Sequence, residues 1–417
     1  MEEAYWGPRT GTRIESGPIG PYVARLAEIL CIAGYRPSTI IRHLRAADKF
    51  GRWLKEHNLA LAEANAAVIE RYISSLGRLP HPTRLSGRLP DAAFGPKQLL
   101  AVLIEQRIVQ PEEIEAEQGP LDELLISFRQ YLDRTLGVST GTQQTYLRYA
   151  RLFLESLGGT TLDLSQVTAD VSYEFVREQA AKLKTSSCQL PVCSLRAFLR
   201  FLTSRSLIRE GLDRAVPTVR QWKLASLPKH LSEDELARVL NACDTQTPTG
   251  LRDRAILTLL ARLGLRAGEA SRLGLDDIDW KEGQILIRAG KSHRERILPL
   301  AKEVGRALVA YLKRGRPNSS QRMIFLRSRP PYTPLKNSGS ISSIAKSYLK
   351  RAGLASIGCA AHALRHTAAT GLVAKGASFK EVADILGHQR LATTAIYAKL
   401  DIERLAQVTL PWPGGDQ

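Results

Sequence analysis

The sequence predicts a mainly α protein with one small antiparallel β-sheet, in which all-helical N-terminal domains precede a mixed α+β C-terminal domain. Three observations carry this. Apolar side chains recur at helical spacing through most of the chain. Two N-terminal stretches resemble each other at a constant offset of 103 residues, the mark of a repeated helical unit. Only two adjacent segments, QILIR (284–288) and ERILPL (295–300), are β-branched and short enough for strands. At 417 residues the chain also exceeds what one compact core holds.

The first repeated stretch is STIIRHLRAADKFGRWL (38–54), followed by Leu61, Val68 and Tyr72; the second is GTQQTYLRYARLFLESL (141–157), followed by Leu164, Val171 and Phe175. Thr39, Leu44, Arg45, Ala47, Phe50 and Leu54 return as Thr142, Leu147, Arg148, Ala150, Phe153 and Leu157. Each stretch is expected to be a helix with one buried face, and helices over 98–109 and 194–208 are expected to close the two copies. Between them, 76–96 is rich in Pro, Gly and Arg and reads as a loop, and 110–120 as an acidic connector. A basic stretch, 212–230, reads as an extended linker. The last domain opens with Ser232 and Glu235 in capping-box spacing, continues in a helix over 250–264, and then enters the two strands. From Lys302 the pattern is helical again, interrupted by an Arg/Pro-rich loop over 327–340. The expected division is therefore 1–118, a helical domain that is a degenerate duplicate of the next; 119–211, the second helical domain; 212–230, the linker; and 231–417, the mixed domain with a C-terminal tail.

Charge narrows the function. Lys and Arg number 59 against 41 Asp and Glu, a net +18 with a pI near 9.9. The excess is concentrated: 15 basic against 14 acidic side chains over 1–120, 14 against 10 over 121–227, and 30 against 17 over 228–417. Such a surface suits a polyanion. Its bland alternative is a basic face that serves solubility alone. The five cysteines are scattered, without a C-x-x-C pair or zinc spacing, and read as reduced, mostly buried thiols. No metal and no cofactor is expected. No apolar run reaches membrane-spanning length, so secretion and membrane insertion are not expected and a cytoplasmic location is.

Four segments of the last domain hold polar groups that packing does not require: LGLRAGEASRL (263–273), AGKSHRERILPL (289–300), HALRH (362–366) and LGHQRLATTAIY (386–397). Taken together they resemble the tyrosine recombinase (phage integrase) family over about 180 residues, from near Leu231 to near Leu410. The second helical domain is similar to that family's SAM-like core-binding domain. The extra first copy departs from the family's simplest members.

The resemblance implies six catalytic positions: Arg266, Lys291, His362, Arg365, His388 and Tyr397. Tyr397 would attack a DNA phosphorus and form a 3′-phosphotyrosine link. That chemistry needs guanidiniums on the two non-bridging oxygens, where charge grows in the transition state, and Arg266 and Arg365 match. A phenol titrates near ~10, so a base must take its proton, and His362 matches. Lys291 would protonate the departing 5′ oxygen, and His388 would donate to a non-bridging oxygen. Glu269 is placed to hold Arg266, and His366 reads as a buttress. Arg220, Lys223 and Lys229 of the linker, with Arg148, are expected to touch DNA. The implied activity is site-specific recombination without metal or ATP, by a homotetramer on paired duplex sites, alone or with partner recombinases, for integration or transposition of a mobile element. The rival readings are type IB topoisomerase-like relaxation and a non-catalytic DNA-binding regulator that keeps the fold.

Overall fold

The computed structural model describes residues 13–76, 91–110, 119–158, 163–183, 187–218, 229–290, 295–335, 337–388, 393–394 and 396–397. They group into two compact units, Met1–Glu112 with Leu227–Gln417, and Glu113–Ser226. Three separate sets of apolar side chains fill their interiors, at 14–109, 125–216 and 231–364, and a small fourth surrounds Tyr397. The architecture is mainly helical with one three-stranded antiparallel sheet.

The N-terminal helices are α1 (Gly20–Ile32), α2 (Pro37–Glu56), α3 (Ala66–Ser75) and α4 (Asp91–Glu105). Pro37 starts α2 at a position where its missing N–H costs nothing, and Ile40, Leu44, Ala47, Phe50 and Leu54 bury one face. The second unit repeats the pattern with α5 (Pro120–Arg134), α6 (Thr140–Ser156), α7 (Ala169–Ala181) and α8 (Gln189–Ser204).

The 103-residue register of the sequence recurs in three dimensions. A 3-10 turn at Leu61–Glu63 answers one at Leu164–Gln166, and α3 begins at Ala66 where α7 begins at Ala169. Asn65 caps α3 through the amide of Val68, as Thr168 caps α7 through that of Val171. The ring centroids of Phe50 and Tyr72 lie 5.1 Å apart, and those of Phe153 and Phe175 lie 5.2 Å apart. An aromatic pair on two helices with the same spacing is a packing correspondence, which amphipathicity alone does not produce.

Several expectations move. Helix α4 begins at Asp91, so the expected loop runs six residues too far; Pro96 lies inside the helix. Tight packing on α2 outweighs that breaker: a Cβ on Gly95 would fall 2.4 Å from the His43 carbonyl oxygen. Helix α8 starts at Gln189 and ends at Ser204, ahead of the expected bounds. The linker begins with a helical turn, Leu212–Ala215, tied down by an Arg200–Asp213 ion pair. The expected divisions at 118 and 230 adjoin segments 111–118 and 219–228, which lie outside the described residues. Three of the five cysteines, Cys31, Cys193 and Cys359, are exposed rather than buried.

The C-terminal part opens with α9 (Glu233–Asn241), whose capping box forms as expected: Ser232 Oγ accepts from the Glu235 amide at 3.1 Å and Glu235 accepts from the Ser232 amide at 3.0 Å. Helix α10 (Pro248–Arg262) is buried along most of its length and forms the centre of the core, and the short α11 (Ala267–Ser271) follows. Strands β1 (Ile278–Asp279), β2 (Gln284–Ile287) and β3 (Arg296–Pro299) pair antiparallel in that order, with Ile285 opposite Leu298 and Ile287 opposite Arg296. Then come α12 (Lys302–Arg314), α13 (Ser338–Arg351), α14 (Ala360–Ala374) and α15 (Phe379–Leu386). The loop between α12 and α13 meets the N-terminal helices: the Tyr332 amide donates to the Ala33 carbonyl at 3.2 Å, and its ring lies against Gly34. Among the described residues no helix is long and apolar enough to cross a membrane.

Candidate active site

The site is organised by the end of one short helix. Ser378 and Glu381 cap the start of α15, and Gly387, in the left-handed region at φ +64°, ends it. The His388 and Gly387 amides turn back to the Ala383 and Asp384 carbonyls, so that among the described residues the carbonyls of residues 385, 386 and 387 have no helical partner. Three arginines take them. Arg296 Nε donates to Ile385 O at 2.8 Å, Arg365 Nη2 to Leu386 O at 2.7 Å, and Arg266 Nη2 to Gly387 O at 2.9 Å. Guanidiniums also suit the negative end of a helix dipole.

Glu269 locks two of them. Its carboxylate accepts from the Arg266 amide at 2.8 Å and Arg266 Nη1 at 2.9 Å, and from Arg296 Nη1 and Nη2 at 3.2 and 2.8 Å. Burial opposes its ionisation, but hydrogen bonds and charge from Arg296, then Arg266, hold its carboxyl below the usual range. This is no loose surface pair: the side chains of Glu269 and Arg296 are only 5% and 9% exposed. Arg365, at 4% exposure, spends its other arm on Gly264 O at 2.6 Å, where Gly264 ends α10 at φ +64°. Burial and then Arg266 pull the Arg365 guanidinium down to about 10. Two guanidiniums thus hold one carboxylate, and a third, that of Arg365, feels its charge. The two uncompensated positive charges make a seat for an anion.

The other polar groups ring this cluster. His362 precedes Arg365 by one turn of α14, and desolvation followed by the charges of Arg365 and Arg266 lowers its pKa. His366 lies one turn further along, and its Nδ1 is 2.8 Å from the Tyr397 hydroxyl. Burial, then His362, Arg365 and His230, push His366 down to about 4. Tyr397 is 1% exposed, and burial, opposed by Arg365, pushes its hydroxyl up to about 12. His388 Nδ1 is 2.8 Å from Thr394 Oγ1, and burial followed by Arg365 and Arg266 pushes this imidazole, too, down to about 4.

Of the expected residues, Arg266, Glu269, His362, Arg365, His366, His388 and Tyr397 thus come together. Lys291, Arg220 and Lys223 lie outside the described residues. Lys229 reaches the Ser356 carbonyl at 3.4 Å, and exposed Arg148 lies over the Tyr149 ring at 5.7 Å. Arg296 was not anticipated. Its signal was present, because strand alternation puts it on the same face as buried Leu298, where a charged side chain needs a partner. Among the described residues no His, Cys, Asp and Glu cluster suits a metal ion.

Residues 229–404 match the model of the phage integrase family, and residues 125–206 that of the phage integrase N-terminal SAM-like domain. The y4rA protein of Sinorhizobium fredii, named among integrase/recombinases, is 35% identical over 409 residues, covering 97% of each chain. The tyrosine recombinase XerA of Thermococcus kodakarensis is 33% identical over 285 residues, 68% of this chain and 93% of that one. Among solved structures, XerH bound to a palindromic difH substrate after cleavage is similar in fold, with a TM-score of 0.53 at 20% identity, covering 71% of this chain and 97% of that one. A lambda integrase dimer on a COC′ core site has a TM-score of 0.52 at 17% identity, covering 66% and 94%. Residues 1–118 lie outside both family models, yet y4rA shares nearly the whole chain.

Proposed function

The chain belongs to the phage integrase family and is a tyrosine site-specific recombinase; from that premise we propose that the arginine cluster at the end of α15 receives the DNA phosphate that Tyr397 attacks. The phenol oxygen bonds to phosphorus, the 5′ oxygen leaves, and a 3′-phosphotyrosine link keeps the energy of the broken diester, so that rejoining needs no ATP. Arg266 and Arg365 hold the non-bridging oxygens as charge grows on them, and His388 donates a further hydrogen bond. Lys291 protonates the 5′ oxygen. The phenolic proton goes to one of the two histidines that flank Arg365 on α14.

The observation that carries this reading is the imbalance of three guanidiniums over one carboxylate beside a histidine-bonded tyrosine. The partner is double-stranded DNA with paired sites, bound by a tetramer, alone or with partner recombinases; the solved relatives bound to core-site or transposon DNA support the DNA partner. The four-part division at 118, 211 and 230 remains our reading of the domains, with 119–211 and 231–417 clamping the duplex and the linker, with Arg220, Lys223 and Lys229, tracking the backbone. Integration or transposition of a mobile element is the proposed outcome, carried out at the nucleoid.

A nicked suicide duplex, carrying a site selected from random DNA by the full-length protein, tests the chemistry. The wild type should leave a covalent adduct that survives denaturation, and Tyr397→Phe none. Absence of adduct from both would make binding the better description.

A further inference from the structure

Two histidines of α14 could take the phenolic proton, and their surroundings differ. The His362 ring makes no side-chain hydrogen bond among the described residues; the charged neighbours that act on it are Arg365 and Arg266, where the phosphate is proposed to sit. His366 is one helical turn further on, and its Nδ1 is 2.8 Å from the Tyr397 oxygen, with the two rings edge to face at a centroid distance of 5.6 Å. Position 366 is fixed by its helix: Thr367 on its far side accepts from the Leu231 amide at 2.9 Å, which ties α14 to the entry of the C-terminal part. We propose that His366, rather than His362, accepts the proton of Tyr397 during cleavage and returns it during rejoining, which leaves His362 to the phosphate. This rests on the reading of Tyr397 as nucleophile.

The charged and titratable groups around His366 are His362 and Arg365 on its own helix, His230 on the segment leading into α9, His388 after α15, and Tyr397. Burial first, and then His362, Arg365 and His230, keep the imidazole neutral at neutral pH, with a lone pair available. They also make it too weak a base to ionise a buried phenol before attack. The proton must therefore move as the oxygen–phosphorus bond forms, when the phenol oxygen loses basicity and the phosphate brings negative charge beside the imidazole. Atoms balance: the oxygen–phosphorus bond forms, the bond to the 5′ oxygen breaks, the phenolic proton passes to His366, and Lys291 supplies the proton for the 5′ oxygen.

The experiment measures single-turnover adduct formation by the full-length protein on the suicide duplex described above. It compares wild type, Tyr397→Phe, His362→Ala, His366→Ala and His366→Gln, each checked for duplex binding and thermal unfolding. His366→Ala should bind normally and react about 100-fold more slowly at neutral pH, the scale of general-base catalysis. Added imidazole should recover part of that rate, and the residual rate should rise with pH as hydroxide replaces the lost base. A 5′-bridging sulfur, which needs no protonation to leave, should rescue Lys291→Ala and leave His366→Ala slow. If His366→Ala and His366→Gln react within threefold of wild type, or imidazole rescues only His362→Ala, the inference is overturned. No adduct from wild type, or an adduct from Tyr397→Phe, overturns the nucleophile reading and this inference with it.

Discussion

At the scale of single residues, the site depends on which charges are left unbalanced. Arg365 uses both arms on carbonyl oxygens, so lysine, with one point charge and no fork, cannot hold Gly264, Leu386 and a phosphate together. Arg365→Lys should fold yet form adduct on the order of 100-fold more slowly, the scale of losing one preorganised donor to a developing oxyanion; near-wild-type rates in a single-turnover assay would contradict the role. His366 and His388 make a second residue-scale prediction. Both sit at about 4 in the folded protein, below the 6.5 of a free imidazole. The unfolded chain thus binds more protons between those values, so stability is complete above about 6.5 and falls as pH drops toward about 4. Thermal midpoints measured across that window should fall less steeply in a His366→Gln/His388→Gln double variant than in wild type.

At the scale of elements, the end of α15 decides the site's geometry. Gly387 combines a left-handed backbone with a close neighbour: an added Cβ would lie 2.7 Å from Arg296 Nη1. Gly387→Ala should cost about 1–2 kcal/mol from the backbone alone, and it should displace Arg296 and slow adduct formation as well; calorimetry together with the cleavage assay separates the two effects. Most elements of this region were legible from their apolar period and caps, as with Ser232 and Glu235 before α9. The first two turns of α4 were not, because Gly95 and Pro96 read as punctuation while the packing of Gly95 against α2 is invisible along the chain. Arg296 was missed for a related reason: a charged residue in a four-residue strand reads as solvated until the carboxylate it meets, 27 positions earlier, is seen beside it.

At the scale of the whole molecule, a net charge of +18 weighted toward residues 228–417 predicts DNA affinity that falls steeply with salt. Binding isotherms on duplex DNA should give a log–log slope of about −0.9 for each phosphate neutralised; a flat salt response would remove the phosphate-centred reading. The N-terminal helices repeat the packing of 119–211 down to the aromatic pair, and they lie in one compact unit with the C-terminal part. Deleting residues 1–118 should therefore shorten the protected DNA or abolish assembly on it. An unchanged footprint together with unchanged assembly would show that this region serves neither.

The amino-acid order by itself determined the helical character, the 103-residue echo, the short strand pair and the set of residue types the chemistry needs, because each depends on local periodicity or on short motifs. The tertiary structure alone decided how those groups are held: which carbonyls restrain the three guanidiniums, that Glu269 is shared with Arg296, and that His366 rather than His362 bonds the Tyr397 hydroxyl. Orphan helix carbonyls and buried charges take partners from wherever the fold brings them, and those distances are not written in the spacing of a sequence.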